Sequence, residues 1–208
     1  MTAKTAVLPA TLGLVAAAWI VTMHQMRGMD MGVATDLGSL AFFLAIWLTM
    51  MAAMMLPGAA SALVESARTG GGARVALFGG SYLSVWLAVG LVVYAVYQPH
   101  GATTAGALTI AAGLYELTPL KGECRRRCRA TVRSGAEFGA YCIGSSAGLM
   151  VILVALGVMS VTWMAVITVV VLAQKLLPPK ASIDVPLAVA IVALGVLILV
   201  VPSAIHLT

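Results

Sequence analysis

The methionines of this chain are concentrated in two stretches, and the first lies between residues 23 and 31. Its candidate ligands are four methionines, a histidine and an aspartate: Met23, His24, Met26, Met29, Asp30 and Met31. Thioether sulfur is a soft, neutral ligand that favours Cu(I), and imidazole and carboxylate groups beside it could also hold Cu(II). The alternative interpretation is a helix end at the membrane interface, where methionine serves as a flexible apolar filler.

The second stretch contains four methionines in two adjacent pairs: Met50, Met51, Met54 and Met55. On a helix, residues four apart lie one above the other, so these side chains form two neighbouring rows of sulfur on one face. From spacing alone the pattern favours a packing face in which methionine fills gaps. The methionine-rich segment before it adds weight to the alternative, a stepping site for a soft cation. Pro57 follows directly and predicts a kink in the helix.

The three cysteines form a third candidate group. Cys124 and Cys128 are four residues apart and would share a helix face, and Cys142 follows fourteen residues later. Five basic residues between Lys121 and Arg129 favour the thiolate form, which binds metals. Three convergent thiolates would suit Cu(I) or Zn(II), so we expect copper as the metal, with zinc second. The alternative is that the cysteines are inert.

Glu116 is an acidic residue at the end of a long apolar stretch. An ionisable group at membrane depth is energetically expensive and indicates a functional site. The alternative interpretation is a residue at the end of a helix whose charge is neutralised by Lys121 or Arg125.

The composition determines which elements must position these side chains. Of the 208 residues, 62% are hydrophobic and only 9% are charged, and the mean hydropathy is +1.06. A soluble domain of this size carries far more charge. Because backbone groups in hydrocarbon must bond within their own segment, we expect an all-α, polytopic transmembrane helical bundle. Charge-free intervals and Pro/Gly breaks predict a single membrane domain, 1–208, with seven spans: 6–25, 38–62, 75–97, 102–119, 137–157, 161–177 and 184–203.

The basic residues predict the orientation of these spans. Of the twelve Lys and Arg residues, all except Arg27 fall at the N-terminus or in the alternate loops on the same side. The positive-inside rule therefore places the N-terminus in the cytoplasm and the C-terminus outside. The net charge of +5 then indicates contact with anionic lipid headgroups, through the arginines between Arg125 and Arg133, and not with nucleic acid. We expect residues 6–25 to be a retained span, although residues 4–18 imitate a cleavable leader.

As an ensemble, these residues resemble a family of bacterial predicted metal-binding integral membrane proteins. The matching segments are 29–31, 47–57, 112–121, Cys124, Cys128, 139–144, 149–150, 163–164 and 175–178. The resemblance implies a metal role in the bacterial inner membrane, with the cysteines and paired methionines as ligands. The chain departs from the family pattern at Ser145 and Ser146, where the family has cysteines, and at Ala147, where a tryptophan is expected after them. It also departs at Glu116, where glutamine is expected.

These observations lead to one expected function and one alternative. We expect a non-enzymatic protein that handles a soft metal by binding, transfer or transport, with a metallochaperone or a membrane complex as its partner. Ions would be captured by segment 23–31, held by the paired methionines and received by the cysteines. The alternative is a scaffold or accessory subunit of a membrane complex. A thiol redox enzyme is disfavoured because the chain has no C-x2-C motif.

Overall fold

The computed structural model describes residues 3–27, 37–129, 134–158, 160–177 and 181–201. Over these ranges the chain forms α-helices and no strand, so the predicted all-α class is confirmed. The helices are α1 (Ala3–Gln25), α2 (Leu40–Val96), α3 (Ala102–Glu116), α4 (Pro119–Arg129), α5 (Gly135–Gly157), α6 (Val161–Leu176) and α7 (Ala181–Val200).

Helix α2 is interrupted at Gly70 and Gly71, which lie outside the helical region of backbone space. Gly71 has φ 67° and ψ −161°, a conformation that a residue with a Cβ rarely adopts. The two helical segments on either side pack against each other in antiparallel fashion, because the Tyr94 hydroxyl donates to Gly38 O and the Tyr82 hydroxyl to Met55 O. These two segments correspond to the predicted spans 38–62 and 75–97.

Within the described residues, three helices are long and apolar enough to cross a membrane: Val7–Gln25 within α1, α2 and α5. Helix α6 and the apolar part of α7 are shorter, and α3 ends at Glu116, before the predicted end of its span at 119. Pro119 explains that end, since proline is disfavoured inside a helix but suits the first position of the next one. Seven spans and their orientation therefore stay predictions. Pro57 does not interrupt the helical backbone of α2.

The chain divides into two compact units. The first unit contains α1, α2 and the beginning of α5 through Tyr141, and in it α1 packs against α2. The second unit contains α3, α4 up to Arg127, α5 from Cys142, α6 and α7. In the second unit α3 and α7 approach closely at glycines: a Cβ at Gly106 would lie 3.0 Å from Gly195 O, and one at Gly195 would lie 2.9 Å from Gly106 O.

Candidate metal site and buried polar network

The four methionines of the second stretch, Met50, Met51, Met54 and Met55, form what we call the methionine cluster. All four are 0–1% exposed and lie in the first unit. The alanines and leucine among and after them, Ala52, Ala53 and Leu56, are buried too, so this part of α2 is enclosed on all sides. The thioethers are therefore held in the protein interior, away from the molecular surface.

Aromatic side chains lie at both ends of the methionine cluster. At the N-terminal end, Trp47 donates its indole N–H to Trp86 O at 2.8 Å, and both indole side chains are almost fully buried. At the C-terminal end, the buried Tyr82 bonds Met55 O at 3.4 Å and its ring lies 5.4 Å from that of Phe138. The cluster is thus shielded from water along the helix axis.

The end of α1 reaches the methionine cluster within the first unit. The Thr49 hydroxyl donates to Gln25 Oε1 at 3.3 Å, which places the C-terminal turn of α1 beside the start of the cluster. Met26 is 1% exposed, whereas Met23 and His24 are exposed. The other predicted ligands of the first stretch, Met29, Asp30 and Met31, lie outside the described residues. The described part of this stretch therefore combines surface-accessible and buried thioethers.

The cysteines occupy separate environments. Cys142 is buried, and its sulfur accepts a hydrogen bond of 2.8 Å from Lys175 Nζ. Cys124, half-buried on α4, lies against α5, where a Cβ at Gly144 would be only 2.5 Å from Cys124 Sγ. Cys128 is half-buried one turn further along α4. Among the described residues, which include all three cysteines, no group of three or more His, Cys, Asp or Glu side chains could hold a metal ion.

Glu116 is the centre of a buried polar network in the second unit. Its side chain is 0% exposed, and its Oε2 accepts hydrogen bonds from Lys121 Nζ and, at 2.9 Å, from Gln174 Nε2. Its Oε1 has no hydrogen-bond partner in the described structure and lies beside Gly148, where a Cβ would be 2.8 Å away. The sequence predicted that either Lys121 or Arg125 neutralises the charge of Glu116, and the structure shows that Lys121 does so.

Arg125 corrects one sequence-based prediction, because it faces inward and does not contact lipid headgroups. It is 4% exposed and donates to both oxygens of Asp184 at 2.8 and 2.9 Å. Its remaining hydrogen bonds go to Gln174 O at 2.7 Å and Leu177 O at 3.1 Å. The guanidinium is therefore committed to joining α4 with α6 and α7 inside the second unit.

The arginines after Arg125 that the structure describes are exposed. Arg126 and Arg127 both donate to Glu123 one turn earlier, and the hydrogen bond from Arg127, followed by that from Arg126, lowers the pKa of the Glu123 carboxyl. Arg129 is also exposed, and residues 130–133 lie outside the described ranges. Contact of these exposed arginines with anionic headgroups stays a prediction.

Sequence reasoning did not identify Gln174, Lys175 or Asp184 as partners of the candidate residues. Gln174, which is 4% exposed, is a polar residue within an apolar stretch, and that position in the sequence was the available signal. No such signal marked Asp184, which lies 59 residues from the arginine it binds.

These features define a helical protein with helices of membrane-spanning length, a buried thioether cluster and a separate buried ion-pair network. Residues 44–198 match a family model described as PpoB2, copper chaperone. The match covers well over half of the chain, so the chain belongs to this copper chaperone family. No curated protein and no solved structure matches it.

The matched range includes the methionine cluster, Glu116 and the three cysteines, and begins after the first methionine stretch. The family supports the predicted association with copper, while the bacterial origin and the membrane location implied by the earlier resemblance stay predictions.

Proposed function

We propose that this protein is a membrane-embedded copper chaperone that holds Cu(I) among the thioethers of the methionine cluster and passes it to a protein partner. The observation that carries the proposal is the complete burial of four thioethers on two turns of α2, within the range matched by the family. Four soft donors enclosed in one unit form a suitable environment for a soft ion.

The chemistry of the ligands favours a monovalent cargo. Thioethers are neutral, so they do not cancel the charge of the ion they bind. The cost of moving an ion from water into a low-dielectric interior rises steeply with its charge, and a divalent ion would therefore be penalised more than Cu(I). Because thioethers do not take up protons, binding to the cluster is expected to depend little on pH.

Entry to the methionine cluster is proposed to pass the end of α1. The exposed Met23 and His24 would capture copper, the buried Met26 would accept it, and the Thr49–Gln25 contact holds that end of α1 beside Met50. Ligands that bind weakly at several positions suit a protein that must also release its cargo. Cys124, Cys128 and Cys142 are proposed to act at release, singly and not as one three-thiolate centre.

The proposed location is the bacterial inner membrane, with one membrane domain of seven spans and a cytoplasmic N-terminus. The apolar lengths of α1, α2 and α5 support membrane insertion, and the bias of basic residues to one side supports the orientation.

Metal binding by the purified protein tests the proposal. Protein in detergent is titrated with Cu(I) under a competing chelator, and bound copper is measured by elemental analysis. We expect the variant M50L/M51L/M54L/M55L to lose its high-affinity copper, while M150L/M164L, altered at two buried methionines of the second unit, retains it. Methionine and leucine have similar volumes, so both variants are expected to fold.

Two outcomes would contradict the proposal. Equal copper binding by the two methionine variants would show that the cluster is not the site. A wild-type protein that binds no copper but co-purifies with a fixed partner would favour the scaffold interpretation.

A further inference from the structure

The indole ring of Trp47 is held by contacts at one face and one edge within the first unit. Phe43 stacks on it, with ring centroids 5.6 Å apart and an interplanar angle of 29°. Its Nε1–H donates to Trp86 O at 2.8 Å. The same edge of the ring lies against Gly90, where a Cβ would be 2.5 Å from Trp47 Cδ1. Rotation of the ring would break the hydrogen bond and lose these contacts, so its orientation is defined.

The position of Trp47 on α2 relates the other face of the ring to the methionine cluster. Phe43 lies one turn before Trp47, whereas Met50 and Met51 lie three and four residues after it. Side chains on a helix lean toward its N-terminus, so the side chains of Met50 and Met51 lean toward the turn that carries Trp47. Since Phe43 covers the face on its own side, helix geometry leads us to expect the opposite face on the side of these thioethers.

We propose that Trp47 is a specificity-determining residue of the metal site, whose π face contacts the monovalent soft ion held by Met50 and Met51. This inference rests on the proposed function and adds an aromatic contact to its thioether ligands. The face of an indole ring carries negative electrostatic potential, which attracts a cation most strongly where water is excluded. Trp47 is 1% exposed and Trp86 is 0% exposed, so the position is dry.

A π face supplies what the thioethers lack. Neutral sulfur ligands leave the charge of the bound ion uncompensated, and the indole quadrupole offsets part of it without introducing a group that can be protonated. This attraction suits a monovalent ion, which needs little compensation. A divalent ion would be left largely uncompensated in the same pocket. The ring and the thioethers together would therefore select Cu(I) or Ag(I) over Zn(II).

The test uses Ag(I) as a redox-stable probe, added to the full-length protein in detergent while tryptophan fluorescence is followed. We expect Ag(I) to quench part of the emission of the wild-type protein. W47F should bind the same number of Ag(I) ions but lose most of the quenching. The control W163F, altered on α6 in the second unit, should keep it. We expect W47L, which has no π face, to bind Ag(I) about tenfold more weakly.

A second variant keeps the inference testable if W47L does not fold. G90A places a methyl group where the indole edge lies and should shift the ring while leaving every sulfur in place, so it should reduce quenching and weaken Ag(I) binding. Unchanged quenching in W47F, or unchanged affinity in both W47L and G90A, would overturn the role of Trp47 while leaving the thioether site intact. Absence of Ag(I) binding to the wild-type protein would instead overturn the proposed function itself.

Discussion

At the scale of single residues, the buried charges of the second unit show why a side chain's type is a poor guide to its position. Lys121 and Arg125 belong to a run of basic residues that resembles a solvated, headgroup-binding face, yet they are 2% and 4% exposed. Each is buried because a carboxylate meets it, Glu116 for Lys121 and Asp184 for Arg125. Burial of an ion is tolerated where a partner and further hydrogen bonds compensate its lost hydration.

The sequence allowed part of this network to be predicted. Glu116 stood out because it ends an apolar stretch, and Lys121 was one of its two candidate partners. The pairing of Arg125 with Asp184 could not be predicted, because helical spacing relates residues only within one or two turns and these two lie 59 residues apart. The role of the methionine cluster was likewise undecided, since the same spacing fits a packing face or a ligand site.

The Glu116–Lys121 pair predicts strong coupling between two substitutions. K121M leaves a buried carboxylate with Gln174 as its remaining donor, and E116Q leaves a buried ammonium group; each is expected to destabilise the protein by about 3 kcal/mol. The double variant E116Q/K121M removes both charges and should be much more stable than the sum of the single effects implies. Thermal unfolding of the four proteins in one detergent measures this coupling. If the stability losses of the two single variants simply added in the double variant, the interaction between Glu116 and Lys121 would not stabilise the protein.

At the scale of elements, helices were predicted more accurately than their ends. Each apolar interval between the charged bands overlaps a helix of the described structure, whereas the number of helices that cross a membrane stays a prediction. The ends depended on local backbone chemistry: Pro119 separates α3 from α4, and Gly71 turns α2 back on itself. Helix α4 was not predicted as a separate element, because the search was for long apolar spans and its short, strongly basic sequence was assigned to a loop between them.

The turn within α2 predicts opposite effects at two adjacent glycines. G71A places a Cβ on a residue with φ 67° and ψ −161°, a combination almost confined to glycine, and should destabilise the protein by about 1–3 kcal/mol. G72A is the matched control: a Cβ there meets no atom within 4 Å, and alanine in place of an exposed helical glycine should stabilise by about 0.5–1 kcal/mol. Thermal unfolding in detergent compares both with the wild type. If G71A proved as stable as G72A, the positive φ assigned to Gly71 would be wrong.

At the scale of the whole molecule, the methionine cluster and the buried ion pairs lie in different compact units. The methionine cluster belongs to the first unit, and the Glu116 and Arg125 networks belong to the second. This division could not be read from the sequence, which shows no linker and no change of composition between the units. It separates the thioethers that would hold copper from the charges that join α3, α4, α6 and α7.

The distribution of basic residues predicts the topology of the whole chain. If the N-terminus is cytoplasmic and seven spans follow, a reporter fused after residue 208 lies outside, so alkaline phosphatase there should be active and green fluorescent protein dark. The same reporters inserted after residue 72, between Arg68 and Arg74, should give the reverse pattern, because basic loops are retained in the cytoplasm.

Replacing Arg68 and Arg74 by glutamine is not expected to change this pattern, since six basic residues between Lys121 and Arg133 would still favour the cytoplasmic side. Equal signals from both fusion sites would require an even number of spans between them and would contradict the seven-span arrangement.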